Sequence, residues 1–152
     1  MEKSVYKALT GYDFTHKSAL CSLMMWEGSV PRKDYPLMLV TDTGSTLGTI
    51  GGGKMEYVVL ETAQDVIQSG TAVHQLFDLT GKSALEDISI CGGRTRILIE
   101  PYTVQIQSFL KSLDLLNCGD LRGVLVTAIH AGTGVTAERT FVSDPANAPT
   151  VP

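Results

Sequence analysis

The sequence predicts an α/β fold in the broad sense, α+β-like: a mixed sheet with antiparallel hairpins and two main helices packed on it. Three observations point there. Short apolar runs bounded by glycine, proline and aspartate recur along the chain, as strands require. Residues 54–69 carry a long apolar stripe at helical spacing. Turn signals at Asp42–Gly44 and at "AGTG" (131–134) join neighbouring runs into hairpins.

Taken in order, residues 1–10 form a short helix with Val5, Ala8 and Leu9 on one face, stopped near Gly11. "ALCSLMMW" (19–26) is ambiguous by period, but its length and the following Gly28 and Pro31 favour a buried strand. "LMLV" (37–40) is a second strand, and the turn at Asp42–Gly44 leads to a third. In the 54–69 helix, Met55, Val58, Val59, Ala63, Val66 and Ile67 fall at i, i+3, i+4 and i+7, and Gly70 suits the position just past its end. "AVHQLFDL" (72–79) is a strand, and "RTRILIEPY" (94–102) alternates Arg94 and Arg96 against Thr95, Ile97 and Ile99. Thr103 caps a helix carrying Ile106, Phe109, Leu110, Leu113 and Leu116, ending near Gly119. "GVLVTAIH" and "VTAERTFV" close the fold as a hairpin. The 152 residues favour one domain, spanning 1–143, followed by a Pro-rich tail over 144–152.

Composition narrows the function. A net charge of −4 without a basic block gives no electrostatic footprint for nucleic acid. Cys21, Cys91 and Cys118 lack C-x-x-C spacing, which argues against structural zinc and a disulfide framework and fits a reducing cytoplasm. The mixed N-terminus shows no signal peptide, and no apolar run is long enough to span a bilayer. His16, His74 and His130 are isolated, with no partner at metal-ligand spacing.

"GTIGGGKME" (48–56) raises the question of a phosphate loop, since Gly48 and Gly53-Lys54 fit the first seven places of G-x-x-x-x-G-K-[ST]. The eighth place is Met55, which cannot hold Mg²⁺, and a hairpin arm is the wrong context for that motif. A GxGxxG fingerprint fails as well, because Gly51-x-Gly53 is followed by Glu56. Two readings stay open from the residues alone. Gly51, Gly52 and Gly53 either expose helix-start N–H groups to an anionic ligand or merely permit a tight turn. Glu56 either complements the helix dipole or accepts hydrogen bonds from a ligand. Arg32 with Lys33 either reads an anion or sits on a solvated turn. Cys91, before Gly92-Gly93, is either a ligand-facing thiol or a buried small residue. Cys21 belongs to the core.

Three loops in order, Gly28-Ser29-Val30-Pro31-Arg32, Gly48 through Glu56 and Cys91 through Pro101, resemble the XdhC/CoxI family. Its members carry GS[ST]PR, G-T-[IV]-G-G-G-x-x-E and C-G-G-x-[VT]-x-[VIL]-x-x-E-P segments. The resemblance covers about residues 18–142. It implies a molybdenum-cofactor (molybdopterin) binding accessory protein, a cytoplasmic chaperone. Such a protein assists maturation and cofactor insertion in a molybdenum hydroxylase of the xanthine dehydrogenase or CO dehydrogenase type. The implied ligand residues are Ser29, Arg32, Gly51, Gly52, Gly53, Glu56, Cys91, Gly92 and Gly93, with Cys91 a candidate molybdenum contact. The implied partners are the apo-hydroxylase and a sulfur donor protein, with a homodimer as a further option. The resemblance implies a binding module without turnover of its own. Two alternatives stand beside it: a sulfur-transfer enzyme using Cys91 with Glu56 or Glu100 as proton acceptor, and an interaction or oligomerisation domain without ligand.

The chain departs from the family pattern twice. Val30 replaces the second hydroxyl residue of the first loop, and Asp34-Tyr35-Pro36-Leu37 stands where Pro-Gly-Ala is usual, removing a donor and some backbone freedom. The Rossmann-like C-terminal domain of typical members does not follow Pro152, so the chain reads as a stand-alone short homologue or an N-terminal fragment.

Overall fold

The computed structural model describes residues 3–33, 36–79, 92–117, 124–131 and 134–142. Two compact units emerge, Met1–Tyr102 and Thr103–Pro152. The segment 1–143 read as one domain spans both, and the Pro-rich tail lies outside the described residues.

The first unit contains α1 (Lys3–Thr10), β1 (Ser18–Glu27), β2 (Leu37–Thr41), β3 (Thr46–Gly48), α2 (Gly53–Ser69), β4 (Val73–Asp78) and β5 (Arg94–Pro101). Its sheet has the order β3-β2-β1-β5-β4. The α/β class holds, and each element falls where the sequence places it. One detail differs from the expected mixed sheet: every pairing is antiparallel. The α2 crossover does join two strands that run the same way, β3 and β4. They lie at opposite edges with three strands between them, so no parallel ladder forms.

Period-two alternation sorts the sheet into two faces. Ala19, Cys21, Met38, Val40, Ile97 and Ile99 share one face and pack with Met55, Val59, Ala63 and Val66 of α2. The larger of these side chains, the Met, Val and Ile, each contribute about 1.5–3 kcal/mol on withdrawal from water. The helix stops where Gly70 takes a left-handed conformation and its N–H returns to the Val66 carbonyl at 2.8 Å. Leu20, Leu39 and Leu98 are buried on the other face. Below it, Leu9 of α1 accepts a hydrogen bond from the Tyr102 hydroxyl at 2.8 Å.

The second unit holds α3 (Val104–Asn117) and a separate antiparallel hairpin of β6 (Val124–Ala131) and β7 (Val135–Val142). Thr103 caps α3 as expected, its Oγ1 accepting the Ile106 N–H at 3.4 Å. Leu110 is buried, with Ile106 and Phe109 half-buried; the side chains of Leu113 and Leu116, and Gly119, lie outside the described residues. The closing hairpin forms a two-stranded sheet of its own. No helix among the described residues is long and apolar enough to cross a membrane.

Candidate functional site

Strand direction brings the glycine loops together. β1 and β3 run the same way and β5 runs against β1, so the end of β1, the end of β3 and the start of β5 share one end of the sheet. The three loops leave from those ends. An added Cβ at Gly51 would stand 3.0 Å from the Pro31 Cβ, which sets the second loop against the first. An added Cβ at Gly28 would stand 3.2 Å from the Gly92 carbonyl oxygen and the Gly93 Cα, which sets the first loop against the third. Gly93 is buried so close to the Ser29 and Glu27 carbonyls that only a residue without Cβ fits. Leu79 and Gly92–Gly93 continue the β4–β5 ladder into the cluster through bonds of 2.7 and 3.0 Å.

Glu56 organises the middle loop. Its Oε2 accepts the N–H of Ile50 and the N–H of Gly52, each at 3.0 Å, and the Thr49 hydroxyl. Thr49 Oγ1 in turn accepts the Gly51 N–H at 3.2 Å. Gly52 is the N-cap of α2, so a glutamate one turn into the helix reaches back to the cap N–H in the manner of a capping box. Burial pushes the Glu56 carboxyl up, but the bonds from Thr49, Gly52 and Ile50 outweigh it, so its pKa lies below the usual carboxylate value. Several of the loop donors that could meet an external anion are therefore already bound to the protein's own carboxylate. Sequence reasoning missed Thr49 altogether. The signal was the Thr–Glu pair bracketing the glycines, disguised because its separation of seven residues exceeds that of a capping box.

The remaining predicted residues can be placed around this loop. Ser29 is exposed and Arg32 half-buried in the first loop; Gly52 and Gly53 lie at the helix start, and Gly92 is exposed in the third loop. Gly52, Gly53 and Gly92 all have positive φ, and an added Cβ at any of them would meet no atom of the described residues within 4 Å, chain neighbours aside. These three leave open space above the backbone. Cys91 lies outside the described residues.

The packing revises the reading of Val30, agrees with that of Met55 and Cys21, and sets Glu100 apart from the loops. Val30 is not a donor lost from the loop surface, because its side chain is buried in the core with Ile50 and Met55. Burial of Met55 also closes the phosphate-loop question: the position that would need to face Mg²⁺ points inward. Glu100 lies away from the loop cluster. It is buried at the other end of β5, opposite Leu20, six residues and about 20 Å from Arg94. Cys21 is core as expected, and burial, with Glu56 and Glu100 adding to it, pushes its thiol up to about 12.

Fold and loops thus define an antiparallel-sheet α/β module with a glycine-loop cluster at one end of the sheet. Residues 15–78 match the model of the XdhC and CoxI family, the one its motifs resemble, over a stretch that runs from β1 through β4 and contains the first two loops. The chain is also similar to a crystal structure of a Bacillus halodurans protein named a xanthine dehydrogenase, with 26% identity and a TM-score of 0.72. That similarity covers 93% of this chain and 42% of the other, so the chain spans about two fifths of that protein's length. No curated protein matches it.

Proposed function

We propose that this chain binds the molybdenum cofactor and assists maturation of a molybdenum hydroxylase of the xanthine dehydrogenase or CO dehydrogenase type. The observation that carries the reading is the convergence of three separated glycine loops, each a family motif, at one sheet end. The family match and the name of the similar structure support the link to such enzymes.

The residues at the cluster fit an anionic, flat ligand. The open space that the described residues leave over Gly52, Gly53 and Gly92 lets a ring system approach the backbone closely there. The Ser29 hydroxyl, the Arg32 guanidinium and the first N–H groups of α2 suit a pterin phosphate. Glu56 then serves the ligand indirectly, by holding the loop that presents those donors. When bound, the cofactor supplies the molybdenum centre destined for the hydroxylase, and this chain holds it and gives it up. Cys91 is the candidate soft ligand to the metal. The partners under this reading are the apo-hydroxylase and a sulfur donor protein, met in the cytoplasm.

The test is direct. The full chain, purified from a molybdenum-replete host that makes the cofactor, should retain molybdenum by elemental analysis and release a fluorescent pterin after oxidation. Neither signal above that of an unrelated protein from the same host would overturn the reading.

A further inference from the structure

One irregularity interrupts β1 just before the loop cluster. Leu23 stands opposite Ile97 and Met25 opposite Arg96, so β1 takes two steps where β5 takes one, and Met24 is the extra residue of a β-bulge. The Thr95 hydroxyl donates to the Met25 carbonyl at 2.9 Å and holds the bulge in place. The consequence is a change of face. Cys21 and Leu23 stand opposite Ile99 and Ile97 of the α2 face, and unbroken alternation would carry Met25 onto that face and Trp26 onto the other. The extra residue reverses this. Trp26 pairs with Thr95, which pairs in turn with Phe77, and the indole packs against the core that α2 covers.

Trp26 thus stands on the helix side of the sheet, at the end where the glycine loops meet. The core cluster it packs against includes Val30 of the first loop, Ile50 of the second and Met55 in the first turn of α2. The carbonyl of its neighbour Glu27 lies against Gly93 of the third loop. The indole is nevertheless only half-buried, whereas Thr95 and Phe77 in its own row are each 1% exposed. Bulges recur beside binding sites, where they re-aim a side chain. We propose that Trp26 is the aromatic contact of this cluster, its indole stacking on the flat pyrimidinone ring of a pterin. The identity of the ring rests on the molybdenum-cofactor reading; the placement of the indole does not. The glycines supply bare backbone, and Ser29 and Arg32 suit the phosphate. Trp26 adds a broad polarisable face for the ring itself, worth on the order of tenfold in affinity.

The experiment uses the full chain and pterin-6-carboxylate, which keeps the pyrimidinone ring without metal or phosphate. Trp26 is the one tryptophan in the sequence, so its emission reports on this position alone. Adding the pterin should quench that emission saturably and shield the indole from acrylamide. Equilibrium dialysis should show binding weakened about tenfold in Trp26→Leu and largely restored in Trp26→Phe, whose ring can still stack. Tyr57→Leu, which removes an aromatic side chain 60% exposed on α2, should bind as the unsubstituted chain does. Absence of saturable quenching, quenching without shielding, or equal binding by Trp26→Leu would each overturn the proposal. Should Trp26→Leu fail to fold, acrylamide shielding in the unsubstituted chain decides alone. Molybdenum retention separates this contact from the maturation reading. Shielding in a chain that retains no molybdenum supports the contact and sinks that reading, whereas retention that Trp26→Leu leaves intact sinks the contact alone.

Discussion

The Glu56 carboxylate and the Gly52 N–H, 3.0 Å apart, tie the cap of α2 to its own first turn. Gly52 holds φ at 75°, a conformation that side chains disfavour, and the bond from Glu56 offsets part of the cost of keeping it there. The same oxygen takes the Ile50 N–H, so one side chain fixes the backbone on both sides of Gly51. The result is a rigid loop whose inward polar groups are satisfied by the protein and whose outward surface is bare backbone. Under the proposed function, such a loop would receive a ligand without first being ordered by it.

Replacing Glu56 with Gln should lower stability by about 1–3 kcal/mol, because bonds to an ionised acceptor are stronger than those to an amide. The sign of the pH effect follows from the depressed pKa of Glu56. A carboxyl held below its unfolded value stabilises the fold at neutral pH and loses that contribution as pH falls through the folded pKa. Urea melts of both proteins should therefore differ at pH 7 and converge below about pH 4. A gap that widens on acidification would contradict the assignment.

Thr49→Val keeps the shape of the side chain and removes the hydroxyl that joins Glu56 to the Gly51 N–H. A loss of about 1–2 kcal/mol is expected, since the substitution leaves a loop donor unsatisfied. Thr49→Ser should recover most of it. Equal thermal midpoints for the Val and Ser variants would show that the hydroxyl is idle.

The elements were legible in the sequence because periodicity reports burial on one face, and the 54–69 stripe is the plainest case: Met55, Val59, Ala63 and Val66 are the buried set. The three glycine motifs were legible as a group, and strand direction explains why they meet. What could not be read were relationships between distant positions. The pairing of β1 with β5, and the placement of β3 and β4 at opposite edges, depend on strand order, which local pattern does not encode. Val30 was misread for a related reason: motif comparison assigns a residue type to a position but does not tell which way its side chain points. Thr49 was overlooked because its partner is seven residues away across a glycine turn.

Cys21 should resist alkylation in the folded chain. It is fully buried, and burial raises its pKa to about 12, so at pH 8 almost no thiolate is present. Mass mapping after brief iodoacetamide treatment should find Cys21 unmodified until denaturant is added. Rapid labelling of Cys21 under native conditions would contradict the packing of α2 on the sheet.

Two glycines of the cluster should respond differently to the same substitution, and the difference separates folding from binding. Gly93→Ala drives a Cβ into the backbone carbonyls of Glu27 and Ser29, neither of which has a flexible end to move aside, so this variant should be severely destabilised or insoluble. An alanine Cβ at Gly52 meets no atom of the described residues within 4 Å, and its cost comes from the backbone, where φ 75° with ψ −172° is a conformation essentially confined to glycine. That cost is about 1–3 kcal/mol, so the stability of this variant is measured beside its binding. Its new methyl would occupy the open space beside the helix start, so cofactor retention should fall by more than the stability change accounts for. Lys54→Ala, one turn position further on and exposed, should alter retention only modestly, because the donors at this loop are backbone groups. The measurement is molybdenum per chain beside the urea midpoint for each variant. Retention that tracks stability across all three variants would reduce Gly52 to a turn residue, and Mg²⁺-dependent nucleotide binding abolished by Lys54→Ala would replace the assignment with a phosphate loop.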